Sequence, residues 1–526
     1  MKSPQVEPVA APEESRASLP MTGNSLAEAR LSRRIQCAQA VVLVALCAFP
    51  AILCLRIADA GDADVWWHLR SAEWMLQHHA VPRTDPFSSY GAGKPWAAYS
   101  WLYELIIYQI FQRLGLVGMV AYTIGMAVAV TVCLHRLIRR LQADFTFAVA
   151  LTACAAFCFS RLYTPRPWLF TVLFFVLELD LLMQARKTGK IRGLVWLPVI
   201  FALWANLHIE FIDGLVVLAI VLAESILARW WSGREARIRP AVLCGISMAC
   251  ILATLVNPYG WRIYQVAYDL ATQPGVLSKV TELLALPFRR LDDWGVLLLA
   301  LAATGVLARV RHFALFESLL LAFAIYVSFH SQRDVWVVVI AASVILASEL
   351  KGDDKNRLQL TASVAPFIAA GTALVLLLGF RALGVDNASL RTKLAEELPV
   401  RAVEVVREKG WTGPLYNDYS WGGYLIWALR MPVSMDGRAA LYGDEQIDRS
   451  LVTWNGLPEW VSDPDLLKAG LVIGPVGAPL TQLLRMDPRF ELGYEDKLAA
   501  VFVARKSLPS LIRPSNSVII LPPISR

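Results

Sequence analysis

The chain has 526 residues, of which 56% are hydrophobic and only 18% are charged, and its formal net charge is +7. Soluble domains carry about a quarter charged residues, so this composition excludes a soluble protein and indicates a polytopic membrane protein. The basic excess does not predict nucleic-acid binding. The lysines and arginines lie between apolar runs, where they set orientation in the bilayer.

The N-terminal segment, residues 1–35, is rich in Pro, Glu, Ser and Ala and predicts a disordered cytoplasmic tail. The apolar run from Cys37 to Ile57 has about the 20 residues that span a hydrocarbon core, and it is longer than a signal peptide requires. We therefore expect an uncleaved first helix that places the following segment outside the cytoplasm.

Further apolar runs predict about eleven membrane-spanning helices in a domain over residues 36–383. The loops that would face the cytoplasm are all basic, as the positive-inside rule requires. This scheme holds if residues 99–113 form an interfacial helix that does not cross the membrane. The runs after the first lie near 115–134, 145–160, 167–185, 193–209, 212–228, 240–256, 294–308, 313–329, 335–349 and 361–380.

The external loop over residues 58–99 carries two carboxylates and a histidine directly after the first helix. Asp62 and Asp64 are the candidate catalytic residues, although Asp64 could instead cap the helix that follows it. His68 lies one turn further, so it could bind the same ligand or anchor the loop at the membrane surface. Asp64 and His68 also suit a divalent metal ion, a candidate cofactor that the spacing does not require.

Other predicted outward loops contain charged and polar residues that membrane orientation does not explain. Arg166 and Arg333 are candidate ligands of an anion such as a lipid phosphate. Asn206 and His208 end a helix, where they could contact substrate or form hydrogen bonds between helices. Glu210 and Asp213 are further site candidates if they lie near a water-filled cavity, because a buried charge is costly.

The C-terminal region over residues 386–512 has ordinary charge density and predicts a small extracytoplasmic α/β domain. A loose Pro-containing tail over 513–526 follows it. The predicted elements are helices at 388–409 and 419–429, and strands at 415–417, 433–435, 471–475, 490–495 and 499–504.

Several motifs together resemble a bacterial family of integral membrane proteins related to the C-type (GT-C) glycosyltransferase superfamily. The resemblance covers most of the chain from about residue 35 to 505. The motifs are Asp62-Ala63-Asp64-Val65-Trp66-Trp67-His68-Leu69, Asp85-Pro86-Phe87-Ser88, Trp101-Leu102 with Glu104, Arg166-Pro167, Trp204-Ala205-Asn206-Leu207-His208, Asn257-Pro258-Tyr259-Gly260, Trp421-Gly422-Gly423-Tyr424 and Asp436-Gly437-Arg438.

The resemblance implies a transferase in the bacterial inner membrane that moves a sugar from a polyprenyl-phosphate donor to a lipid, glycan or protein acceptor on the outer face. It implies an acidic catalytic residue in the first external loop, contact with membrane lipids and no role for nucleic acid. This sequence departs from the pattern at Tyr99-Ser100, where relatives often have His-Glu, and at Ala72, where they have Gly.

The chemistry of sugar transfer needs a base for the acceptor hydroxyl, stabilisation of an oxocarbenium-like centre and a site for the leaving phosphate. The candidate aspartates and arginines could supply these functions. Two alternatives stay open at this point. The same cavity could bind or transport a lipid-linked saccharide or serve envelope assembly without turnover, or the chain could be a structural member that has lost activity.

Overall fold

The computed structural model describes residues 23–58, 62–231, 237–273, 279–310, 314–350, 352 and 364–505. In these ranges the chain forms a large bundle of apolar helices followed by a small α/β domain, which confirms the predicted fold class. The predicted tail over 513–526 lies outside the described residues, as do residues 1–22 of the predicted N-terminal tail.

The helices of the bundle begin and end close to the predicted apolar runs. They are α1 (Gly23–Ile57), α2 (Ala63–His78), α3 (Trp101–Leu114), α4 (Leu116–Leu141), α5 (Phe145–Cys158), α6 (Trp168–Thr188), α7 (Leu197–Leu207), α8 (Phe211–Trp231), α9 (Pro240–Thr254), α10 (Arg262–Thr272), α11 (Leu291–Leu307), α12 (Leu315–His330), α13 (Val335–Glu349) and α14 (Ala365–Ala382).

Two of these helices correct the sequence prediction. Residues 23–35 belong to α1, although they were predicted to be disordered, because the helix begins at Gly23 and extends the first apolar run backwards. The helix α10 was not predicted, since its sequence alternates polar and apolar residues and lacks a continuous apolar run.

Five helices in the described ranges are long and apolar enough to cross a membrane. They include α6, whose 21 residues extend about 30 Å, the thickness of a hydrocarbon core. The chain is therefore a multi-pass membrane protein. The number of eleven spans stays a prediction, because several apolar helices are shorter than a full span.

The basic ends of the helices gather at one end of the bundle. Lys187, at the end of α6, donates to the Arg140 carbonyl at the end of α4 over 3.2 Å. Arg237 donates to the Lys187 carbonyl, and Arg186 pairs with Glu317 of α12 over 2.9 Å. Several predicted cytoplasmic loops thus lie on one face, about 30 Å from the beginning of α6.

The α/β domain contains a four-stranded sheet in the order β1, β2, β4, β3. The first pair is parallel and the other two pairs are antiparallel. Its elements are α15 (Asn387–Glu397), α16 (Val400–Lys409), β1 (Leu415–Asn417), α17 (Gly422–Leu429), α18 (Ala439–Trp454), α19 (Pro464–Lys468), β2 (Leu471–Pro475), α20 (Pro479–Leu484), β3 (Phe490–Glu495) and β4 (Ala499–Ala504).

Two predictions for this domain were wrong, and one helix was not predicted. The helix over 388–409 is two helices, because Pro399 lacks an amide hydrogen and its ring clashes with a preceding helical turn. The strand over 433–435 is absent from the sheet; Val433 instead forms an isolated bridge with Ser88 of the first external loop. The helix α18 was not predicted, and it bends at Gly443.

The sheet joins the domain to the bundle because alternate residues face opposite sides. Tyr416, Val472 and Phe502 pack in a core inside the domain. Leu415 and Ile473 belong to the core that continues into the helical bundle. In addition α17 packs directly against α2, so the domain rests on the first external segment.

Candidate active site

The site is centred on the beginning of α2. Asp62 is the N-cap residue of this helix, and its Oδ1 accepts a hydrogen bond from the Asp64 backbone amide at 3.0 Å. The prediction that Asp64 could be the cap was therefore wrong. The Asp64 carboxylate is instead paired with Arg166.

Arg166 holds both carboxylates in place. Its Nε lies 2.6 Å from Asp62 Oδ2, and its Nη1 pairs with Asp64 Oδ2. This arginine precedes Pro167, the N-cap residue of α6, so a rigid helix positions it. Burial disfavours its charge, but the neighbouring carboxylates outweigh burial and raise the pKa of Arg166 well above its usual value.

The environment of Asp64 favours its protonated form more than water does. Burial raises the pKa of this carboxyl to about 6, against the lowering effect of Arg166, and the charges of Asp62 and Glu282 add to the increase. A carboxyl with such a pKa can accept and release a proton near neutral pH, which suits a general base.

Arg333 forms a second cationic centre beside the first. Its Nη2 lies 3.0 Å from Glu210 Oε1, and the other oxygen of Glu210 lies 3.2 Å from His208 Nδ1. Burial opposes ionisation of Glu210, but His208 and Arg333 outweigh burial and lower its pKa to about 2. Glu210 therefore stays ionised and holds Arg333 in the site.

Glu282 lies between the two arginines. Its Oε2 is 3.9 Å from Arg166 Nη2, and its Oε1 is 3.8 Å from Arg333 Nη1. This residue belongs to the short helical turn Thr281–Leu283. Glu282 could not be singled out from the sequence, because it lies in a long loop with no motif around it.

The α/β domain completes the site through Gly437. A Cβ atom added at Gly437 would overlap the Asp64 carboxylate, so only glycine fits beside this acid. The next residue, Arg438, is buried and pairs with Asp85 of the external loop at 2.6 Å and with Asp436 at 2.7 Å. These ion pairs fasten the domain to the loop that carries Asp64.

His68 has a different partner from Asp64. Its Nδ1 lies 3.0 Å from Glu104 Oε1, and Ser71 donates to the other oxygen of Glu104 at 2.5 Å. Burial raises the pKa of Glu104 to about 8, and burial lowers the pKa of His68 well below its usual value. Glu104 belongs to the motif that begins at Trp101, but it was not predicted to be a site residue.

The described residues contain no group of three or more His, Cys, Asp and Glu side chains arranged to hold a metal ion. The two predicted ligands are directed to other groups, Asp64 to Arg166 and His68 to Glu104. This arrangement does not fit a metal centre.

Asn206 is held in the packing between helices. Its Oδ1 accepts from the Trp101 indole at 2.8 Å, and its Nδ2 donates to the carbonyls of Ala202 and Val256, both at 2.7 Å. It lines neither of the two cavities described below. Of the two roles considered for Asn206, the geometry favours hydrogen bonding between helices.

Two cavities meet at the site. The donor-side cavity, as we name the larger one, has a volume of about 720 Å³. Its lining contains three acidic side chains and six cationic ones, so it is cationic overall. The acids are Asp62, Asp64 and Glu282, and the cations are Arg161, Arg166, Lys279, Arg289, Arg290 and Arg333.

The smaller cavity, named here the acceptor-side cavity, has a volume of about 240 Å³ and a more aromatic wall. Its aromatic lining includes Trp67, Trp96 and Tyr99, beside His68 and Ser100. The two positions at which the sequence departs from the family pattern, Tyr99 and Ser100, therefore both face this cavity. The wall shared by the two cavities includes Asp64, Arg166, Trp168, Glu282, Arg333 and Gly437.

No protein-family model matches the sequence, and no curated protein sequence matches it. Solved structures match its fold. The archaeal oligosaccharyltransferase AglB from Archaeoglobus fulgidus, in complex with an inhibitory peptide and a dolichol-phosphate, has a TM-score of 0.51 and 11% identity over 82% of this chain and 69% of its own. ArnT from Cupriavidus metallidurans, bound to undecaprenyl phosphate, has a TM-score of 0.46 and 12% identity over 90% of this chain and 99% of its own.

The chain thus shares its overall fold with AglB, which agrees with the family resemblance of its motifs. In this fold it places Asp62, Asp64, Arg166 and Arg333 together at one site. His68 and His208 line the adjoining acceptor-side cavity, whereas Asn206 lies outside both.

Proposed function

We propose that this protein transfers a sugar from a polyprenyl-phosphate donor to an acceptor on the outer face of the bacterial inner membrane. The observation that carries the proposal is the shared wall of the two cavities, where an acid with a raised pKa, Asp64, lies beside two half-buried arginines. The fold shared with AglB, which was solved with a dolichol-phosphate, supports this class of donor.

The donor phosphate would bind in the cationic donor-side cavity against Arg166 and Arg333. A guanidinium presents several N–H donors in one plane, which suits two oxygens of a phosphate. The lipid chain would extend from this cavity along the helices. Arg161 is held by Asp292 and Asp293, so it contributes to the cationic wall from a fixed position.

The acceptor would enter the acceptor-side cavity and approach Asp64 from the other side. Its hydroxyl oxygen forms a bond to the anomeric carbon while the bond between that carbon and the phosphate oxygen breaks. Asp64 takes the hydroxyl proton, and the leaving lipid phosphate takes the electron pair. Arg166 and Arg333 stabilise the charge that develops on this phosphate.

The proposed orientation places the first external loop and the α/β domain outside, because the basic helix ends gather on the opposite face. Reporter fusions after residues 140, 190 and 400 test it. We expect cytoplasmic signals at the first two positions and an external signal at the third. A cytoplasmic signal at residue 400 would overturn the arrangement.

The function itself is tested with purified protein in liposomes and polyprenyl-phosphate sugars. We expect sugar to leave the lipid in a reaction that Arg166→Gln abolishes. A deletion strain should accumulate the corresponding lipid-linked sugar. The same assay is repeated with cell-envelope glycan extract as the acceptor. If the protein binds the lipid there without turnover, this result would favour the alternative that it binds or transports a lipid-linked saccharide.

A further inference from the structure

Glu282 lies between Arg166 and Arg333 but is too far from both for a short hydrogen bond. Its two carboxylate oxygens face Arg166 and Arg333 at 3.9 and 3.8 Å, one oxygen to each arginine. Good hydrogen bonds between N–H donors and oxygen measure about 2.7 to 3.2 Å. The carboxylate therefore neutralises both arginines partly but leaves both N–H groups without a short bond to it.

The two N–H groups that face Glu282 are Arg166 Nη2 and Arg333 Nη1. The other carboxylates of the site pair with different nitrogens of these arginines. On Arg166, Nε is directed to Asp62 and Nη1 to Asp64. On Arg333, Nη2 is directed to Glu210. Arg166 Nη2 and Arg333 Nη1 converge instead on the space around Glu282, which lines both cavities.

We propose that the Glu282 carboxylate is a stand-in for the donor phosphate. In the free protein it occupies the place of the phosphate between the two arginines, and the phosphate displaces it on binding. This inference rests on the function proposed above and adds a competition inside the site. A carboxylate offers two oxygens in one plane, as does one edge of a phosphate. The phosphate is tetrahedral and larger, so it can reach both N–H groups at normal hydrogen-bond length.

The displacement needs only the side chain of Glu282 to move. The backbone on either side is held, because the Gln332 amide donates to the Leu284 carbonyl at 2.8 Å and the Gln332 side chain donates to the Thr281 carbonyl. The Glu282 side chain is 34% exposed, so it has room to rotate toward the donor-side cavity. The wall of the site thus keeps its shape while its charge changes.

A carboxylate in this position stabilises the free protein and raises the affinity that a competing anion needs. Two arginines that face each other across a cavity repel each other, and an internal carboxylate relieves this repulsion when no substrate is bound. It also selects against weak anions, because an incoming group must bind the two arginines better than Glu282 does. A lipid phosphate, held additionally by its chain in the membrane, meets that condition.

The test is the affinity of purified protein in detergent for a polyprenyl monophosphate and, separately, for inorganic phosphate. Glu282→Gln keeps the size of the side chain but removes the competing charge. We expect this variant to bind both probes more tightly, by ~10-fold, which corresponds to about 1.4 kcal/mol. The exposed Glu459, which lines neither cavity, is the matched control, and Glu459→Gln should leave both affinities unchanged.

The outcomes separate this inference from the proposed function. Tighter binding by Glu282→Gln and by Glu282→Ala supports the stand-in. If wild-type protein binds the lipid phosphate in a manner that Arg166→Gln abolishes, but Glu282→Gln binds it equally or less tightly, only the stand-in is overturned. If neither wild-type protein nor any variant binds the lipid phosphate, the proposed function fails as well.

Discussion

The two cavities differ in charge and surface although they share one wall. The donor-side cavity is large and lined by six cationic and three acidic side chains, whereas the acceptor-side cavity is small, has an aromatic wall and is lined by three arginines and four acids. The donor-side cavity therefore has the cationic excess that an anion needs, whereas the acceptor-side cavity offers aromatic faces without such an excess. Only the shared wall, with Asp64 and the two arginines, can act on both.

The largest effect should come from the acid in the shared wall. Asp64→Asn keeps the shape of the side chain but cannot accept a proton, so we expect transfer to fall by about 10²- to 10⁴-fold, with lipid-phosphate binding retained. Sugar release from the lipid is the measurement. A double variant, Asp62→Asn with Asp64→Asn, that works like wild-type protein would exclude carboxylate catalysis.

The same acid predicts the pH dependence of the reaction. The base is the ionised form, and burial raises the pKa of Asp64 to about 6. The rate should therefore rise as pH increases through about 6 and level off above it. A rate that stays flat from about pH 5 to about pH 8 would indicate that a group other than Asp64 accepts the proton.

The second largest effect should follow from Gly437, because it changes the position of Asp64 without changing its chemistry. Gly437→Ala forces the carboxylate to move, and a displacement near 1 Å costs about 10²-fold in rate. Gly477 of the same domain has open space around it, so Gly477→Ala is the control. Equal activity of the two variants would show that the domain does not position the acid.

Smaller effects should distinguish the cavities from each other. Tyr99→Phe removes one hydroxyl from the acceptor-side cavity, and we expect the KM for the acceptor to rise ~3- to 10-fold while donor affinity stays constant. An increase in the donor KM instead would mean that the two cavities are not separate sites.

The smallest effect should come from the exposed Arg289 at the edge of the donor-side cavity. Arg289→Gln should weaken lipid-phosphate binding by only ~2- to 5-fold at low salt, and the difference should vanish at high salt because exposed charges are screened. A salt-independent loss would place Arg289 in direct contact with the phosphate.

The sequence predicted those features that depend on hydrophobicity or charge along one segment of the chain. Apolar runs predicted most helices of the bundle, and their basic ends predicted which loops share a face. Arg166 could be singled out because membrane orientation did not explain its charge. Glu282 and the role of Gly437 depend on contacts between distant segments, which neither periodicity nor composition records. Pro399 was visible, but its effect on the long predicted helix was overlooked.

The ion pair between Asp85 and Arg438 joins residues that are 353 positions apart in the chain. During synthesis the first external loop emerges long before the residues of the α/β domain that contact Asp64. A ribosome-bound chain that lacks the α/β domain would carry Asp64 without Gly437 beside it. The surroundings of Asp64 can therefore form only after Gly437 and Arg438 have been synthesised.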